Sequence, residues 1–190
     1  MKIVDKIEIE FETGSNNFLT HSMVDKLLIQ NDASVKNQAK SVINLYSLEK
    51  RVVKNPYVEK ASVFLTIDGT LKSRIKQRTP VARIVKGKGS YYIDKQGVKV
   101  PLSNNYSARV MLISGIDNED EIAKILPLLS FILNDGFLQK EVVGINKTTE
   151  GEYQFSVRSG NYKIDFGKLS KMDVKFKKLK AFYNKTFEDK

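Results

Sequence analysis

Four cations stand at alternate positions of one short stretch: Lys72, Arg74, Lys76 and Arg78, with no acidic residue between them. Residues at period two share one face of a β-strand, and a row of positive charge is chemistry for docking rather than for bond-making. Catalytic chemistry is harder to find. The single histidine, His21, lies between Thr20 and Ser22; a nucleophilic triad needs an oriented base and a third partner, whereas Thr20 ahead of an apolar-periodic run reads as a helix cap. Asp117, Glu119, Asp120 and Glu121 are crowded enough to suggest calcium. They lack the alternating oxygen donors and central glycine of a calcium loop, and acids in that place complement a helix N-terminus. Gly87-Lys88-Gly89-Ser90 imitates a phosphate loop, yet that motif requires glycine where Ala82 stands and Ser or Thr where Gly89 stands. No catalytic, cofactor-binding or metal-ligating residue is therefore expected, and the chain is expected not to be an enzyme.

At 190 residues the chain can form one large domain or two small ones, each with a real core. Lys and Arg number 32 against 22 Asp and Glu, a formal charge of +10, which favours polyanionic partners and says nothing of fold. Basic residues around Tyr91 and Tyr92 keep nucleic-acid binding as an alternative, although only 9% of residues are aromatic and tryptophan is absent. The absence of cysteine excludes disulfides and thiolate metal sites. Met1 to Asp5 enters a strand-like pattern without the basic, apolar and small-residue succession of a signal peptide. The most apolar stretch, Ile125 to Leu133, falls far short of the roughly 20 residues that span a bilayer and is interrupted by Pro127, so a soluble chain is expected.

The elements that must carry these residues follow from periodicity. Val4 to Phe11 alternates as a first strand, with Val4, Ile7, Ile9 and Phe11 apolar. Gly14 to Asn17 is turn chemistry; Thr20 caps a short helix bearing Met23, Val24, Leu27 and Leu28; Gln30 to Lys40 reads as a loop or loosely packed helical start. A second helix over 43–53 carries Leu45, Leu48, Val52 and Val53, and stops before Pro56 because the residue ahead of a proline is pushed out of helical geometry. Two strands joined at Asp68-Gly69 come next. Ala61, Val63, Leu65 and Ile67 fall on the inner side of the first, Leu71 and Ile75 on the inner side of the second, and the cation row on the outer side. Strand, helix, helix, strand, strand makes a compact α+β unit, closing at Thr79-Pro80.

Beyond Pro80 the pattern turns to strands. Val81 to Val85 is extended; Tyr91 to Ile93 and Val98 to Val100 flank a hairpin-like insert with Gly97 where positive φ is expected; Arg109 to Ser114 is another strand. Ile122, Ile125, Leu126, Leu129, Ile132 and Leu133 form a single helical stripe, with Pro127 as a kink or first-turn residue and Gly136 as C-cap. Three extended segments follow, Val142 to Lys147, Tyr153 to Arg158 and Tyr162 to Phe166. A basic amphipathic helix over 170–187 ends the pattern, with Met172, Phe176, Leu179 and Tyr183 inward.

The run Asn55-Pro56-Tyr57-Val58, Ala61 to Val63, Gly69-Thr70-Leu71 and Pro80-Val81-Ala82 resembles, in order and spacing, the POTRA domain of the bacterial cell-division family FtsQ/DivIB. Tyr91 to Asp94 with Gly97, Ile164 to Gly167, and the Phe176 to Tyr183 spacing extend the likeness over nearly the whole chain; Gln77 stands where the family usually has an acidic residue. The resemblance implies an N-terminal POTRA domain (β-α-α-β-β) over 1–80 and a β-rich domain with two flanking helices over 81–190, lacking the final strand on which the family docks its downstream partner. It also implies a non-catalytic scaffold at the extracytoplasmic face of the bacterial inner membrane, in the periplasm, anchored by a single helix upstream of Met1. Such a scaffold links early and late division proteins by binding FtsB- and FtsL-type partners, with upstream divisome proteins as further contacts. Lys72, Arg74, Lys76 and Arg78 are the expected contacts in the first half, and Tyr162, Lys163, Ile164 and Asp165 in the second. A POTRA module of an outer-membrane assembly or secretion protein is the runner-up.

Overall fold

The computed structural model describes residues 3–12, 17–31 and 33–188, without the side chains of 187 and 188. Part of the first expected turn, Gly14 to Asn16, lies outside the described residues. The chain forms two compact units, one of Met1–Pro80 with Lys99–Ala108, the other of Val81–Val98 with Arg109–Lys190.

In the first unit the expected order is present: β1 (Lys6–Phe11), α1 (His21–Asp25), α2 (Leu45–Val53), β4 (Val58–Leu65) and β5 (Thr70–Gln77). The stretch taken for a loop contains a short antiparallel pair, β2 (Ile29–Gln30) and β3 (Ala33–Ser34), followed by a 3-10 turn over Lys40–Val42. The sheet runs β1-β5-β4, with β1 parallel and β4 antiparallel to the central β5. Helix starts obey their caps: the Thr20 hydroxyl accepts from the Met23 N–H, and the Asn44 side-chain Oδ1 from the Ser47 N–H, each satisfying a donor the helix cannot. Val24, Leu28, Leu48 and Val52 meet Val63, Leu71 and Ile75 in one core.

Two apolar expectations fail here. Val53 is 44% exposed, because only Leu48 and Val52 of α2 lie on the buried arc. Ile67 is 90% exposed: β4 ends at Leu65, and the turn closed by Thr66 and Gly69 breaks the period-two alternation before Ile67 is reached. The segment Lys99–Ala108, which begins with β8 (Lys99–Val100), supplies the Leu102 carbonyl to the Tyr57 hydroxyl at 3.0 Å. It also supplies Tyr106, edge-on to Phe18 at 4.9 Å.

The second unit is built on β6 (Pro80–Ile84), β7 (Tyr91–Asp94), β9 (Met111–Ser114), β10 (Val142–Lys147), β11 (Tyr153–Val157) and β12 (Lys163–Gly167). Their order is β12-β11-β10-β9-β6-β7. β6, β9 and β10 are parallel neighbours, whereas β11 and β12 are added antiparallel. The insert after β7 turns on Asp94, whose carboxylate accepts from the Gln96 and Val98 N–H groups at 2.9 Å, with Gly97 at φ +81°.

Two helices cover the sheet, α3 (Glu119–Leu133) and α5 (Met172–Glu188), with a short α4 (Leu138–Glu141) that periodicity did not predict. Pro127 sits inside α3, not in its first turn; the helix continues because Ile125, Leu128, Leu129 and Ile132 bury around it. Gly136 is not the C-cap: Asn134 is, and its N–H reaches the carbonyls of Ser130 and Ile132. Phe176 of α5 stacks on Phe131 at 4.5 Å and meets Phe166 at 5.0 Å, which fixes the middle of α5 on the sheet.

Candidate partner-binding surfaces

The cation row lies on the outer face of β5, as period two requires, but it is not a bare row. In the parallel register Glu8 of β1 stands beside Lys72 and Glu10 beside Arg74. The ion pairs close at 3.0 Å for Lys72–Glu8 and 3.2 Å for Arg74–Glu10. Lys76 pairs at 2.9 Å with Glu59 of β4, and Lys6 shares Glu8 at 2.7 Å. The hydrogen bonds from Lys6 and Lys72 hold the Glu8 carboxyl below its ordinary pKa, and the one to Glu59 holds Lys76 above its own. Arg78 lies past the end of β5, where its N–H donates to the Tyr57 carbonyl at 2.8 Å. The expected positive face is therefore a mixed one, since acids 17 to 64 residues away in sequence are brought beside it. Glu8 and Glu10 share a phase in β1, a signal that would have identified a strand made to neighbour a row of cations.

The β4 edge of the same sheet is covered at one point. The Val63 N–H of β4 donates not to a strand but to the Glu49 carboxylate of α2, at 3.0 Å. Gln77, at the acidic position of the resembling family, accepts from the Leu19 N–H at 2.9 Å, a task an acidic side chain would perform equally.

In the second unit, Lys163, Ile164 and Asp165 all belong to β12, the last strand of the sheet, and Tyr162 immediately precedes it. Ile164 packs on the core while Lys163 and Asp165 are exposed. The Asp165 carboxylate accepts from the Gln154 side chain of β11 at 2.8 Å. Among the described residues none donates to or accepts from the outer edge of β12. Tyr162 is 42% exposed, and its hydroxyl donates to that of Tyr183 at 3.1 Å. Tyr183 in turn donates to the buried Glu141. Glu141 and Tyr183 carry no sequence signal of association, being 42 residues apart on different helices.

The stretches considered for chemistry have these surroundings. His21 starts α1 and lies edge-on to Phe11 at 4.9 Å. Glu121 closes the start of α3 by accepting from the Asp117 N–H at 2.7 Å and from Lys147 at 2.6 Å. The Lys147 hydrogen bond, ahead of that from Asp117, lowers the Glu121 pKa. Gly87–Gly89 forms a 3-10 turn. Among the described residues no group of three His, Asp or Glu is placed to hold a metal ion, and no helix is long and apolar enough to cross a membrane.

A family model described as FtsQ/DivIB, C-terminal related, matches residues 79–190, and one described as a POTRA-like domain matches residues 3–76. No curated protein matches the chain. Among solved structures, similarity is found to the major extracytoplasmic domain of the trans isomer of the bacterial cell division protein DivIB from Geobacillus stearothermophilus. The two share 12% identity with a TM-score of 0.38, over 48% of this chain and 79% of that one.

Proposed function

We propose a function from one premise: the chain belongs to the FtsQ/DivIB, C-terminal related family, a family of non-catalytic bacterial cell-division proteins. It acts as an extracytoplasmic scaffold of division, held at the inner membrane by a helix outside this sequence. The two halves, 1–80 and 81–190, divide the work. The POTRA-like half, through Lys72, Arg74, Lys76 and Arg78 among its contacts, meets upstream division proteins. The second half takes up an extended segment of an FtsB- or FtsL-type partner along Lys163, Ile164 and Asp165, with Tyr162 at the start of the strand.

The observation that supports this reading is that, among the described residues, the outer edge of β12 has no hydrogen-bond partner and lies beside a well-packed sheet. An exposed edge offers backbone donors and acceptors as a template, and side chains set the register of the added strand. Mixing the chain with the extracytoplasmic segment of an FtsB-type protein in a calorimeter should give a saturable complex. A proline scanned across Lys163, Ile164 and Asp165 should abolish it wherever an outward N–H is removed. A wild-type chain that yields no heat and no complex on gel filtration overturns the proposal. Oligonucleotide binding that falls steeply with salt would favour nucleic acid instead.

A further inference from the structure

The polar groups behind Tyr162 form a closed arrangement. Glu141, the last residue of α4, is 7% exposed. Its carboxylate accepts from the Ser159 N–H at 3.2 Å, from the Ser159 hydroxyl, and from the Tyr183 hydroxyl at 3.1 Å. Tyr162 donates to Tyr183 at 3.1 Å and lies 3.0 Å from the Ser159 hydroxyl. Among the described residues Glu141 forms no salt bridge. A buried carboxylate without a cation is costly unless hydrogen bonds offset its desolvation, and here three donors, two from a turn and one from a second helix, converge on Oε1.

The direction of these bonds matters. Three hydroxyl protons are available, on Ser159, Tyr162 and Tyr183; two go directly to Glu141 and the third to a group that already donates there. The carboxylate is thus the sink that orders the set. Gly160 completes it, because a Cβ at that position would stand 2.7 Å from the Tyr162 ring, so the ring folds back over the turn only where no side chain exists. The apolar stacking at Phe176 holds the middle of α5, but such packing is non-directional. Two helical turns later, Tyr183 is held by directional bonds to the residue that precedes β12.

Resting on the reading of β12 as the docking edge, we propose that Glu141 and Tyr183 are positioning residues for that edge: their hydroxyl–carboxylate chain fixes Tyr162, and with it the start of β12 and the far half of α5. Tyr162 is the exposed end of the tyrosine pair, at 42%, while Tyr183 is 3% exposed, so a partner on β12 meets the network at Tyr162 and not at Tyr183.

Three variants of the full chain test this: Tyr183→Phe, which keeps the ring against Phe137; Glu141→Leu, which keeps the bulk but removes the acceptor on which the three donors converge; and Gly160→Ala, which removes no hydroxyl from the chain but displaces Tyr162. Hydrogen exchange of the 163–167 amides is read beside calorimetric affinity for the FtsB-type segment. In each variant those amides should exchange faster and affinity should fall roughly tenfold, the scale of one lost hydrogen bond, with exchange across α3 unchanged. If the wild type binds and the variants bind as tightly with unchanged exchange, the positioning role is overturned while docking stands. If the wild type does not bind, docking fails, and unchanged exchange at 163–167 overturns positioning as well. Acceleration of all second-unit amides together would mean a purely structural role and also overturn it.

Discussion

The two sheets differ in what stands before their edges. In the first unit the outward N–H of Val63 is capped by Glu49, and the cations of β5 are matched by Glu8, Glu10 and Glu59. In the second, the described residues leave the outer side of β12 open, and the polar chemistry lies behind the strand, at Glu141 and Tyr183, rather than in front of it. Exposed edges invite pairing, and proteins blunt those they do not use. The contrast is what supports the proposal that a partner docks on β12, the edge that the described residues leave without a hydrogen-bond partner, while Glu49 shields β4 at Val63.

The comparison can be broken most forcefully from within the second core. Phe176→Ala removes the ring that joins Phe131 to Phe166 and should cost about 3–5 kcal/mol, releasing α5 and accelerating β12 amide exchange. The β4 and β5 amides should not move in the same experiment. If they do, the two edges are not independent and the contrast between them is lost.

Removing the guard is the next largest test. Glu49→Ala leaves the Val63 N–H without its carboxylate and should cost about 1–2 kcal/mol, because a partly buried donor loses a charge-assisted bond. Val63 exchange should rise sharply, and light scattering should detect association through the newly bared edge. An unchanged Val63 exchange rate would show that Glu49 does not guard it.

A pH titration probes the Tyr183 network without a core mutation. Burial, then the hydrogen bonds with Tyr162 and Glu141, push the Tyr183 hydroxyl far above the usual tyrosine range. A folded pKa above the unfolded one means that the contribution is complete below about pH 10, the unfolded value, and is lost as pH rises beyond it. Second-unit stability should therefore decline above about pH 10, and Tyr183→Phe should flatten that limb. Melting followed by second-unit amides checks the slope.

Much of this was legible because it is local. The stripe Ile122 to Ile132, the Thr20 cap, the Asp68-Gly69 turn and the buried pair Leu71 and Ile75 each follow from spacing within a few residues. The non-local features left little signal, the shared phase of Glu8 and Glu10 in β1 being the hint that went unused. Nothing near Lys72 announces that Glu8, 64 residues earlier, will lie beside it in a parallel register, and nothing in Leu138 to Glu141 announces Tyr183. Ile67 misled because alternation was carried past the end of β4 into a turn, where the backbone no longer has period two. Gly136 misled because a glycine after a helix suggests a cap, whereas the short α4 that follows left capping to Asn134.

The smallest effect sharpens the contrast at the surface. Lys72→Ala or Arg74→Ala alone should barely move the melting midpoint, since both partners of each pair are well exposed and exposed pairs contribute little. The opposite replacement is more telling. Glu8→Gln with Glu10→Gln leaves the cations in place but removes their matching charges, so the β5 face becomes the positive row that the sequence of β5 alone suggests. Retention on heparin should then rise and fall back with added salt, because unmatched cations displace counterions from a polyanion whereas matched ones do not. Equal retention of the double variant and the wild type would mean that Glu8 and Glu10 do not mask the row, and the first unit would then be as open to anionic partners as its lysines imply.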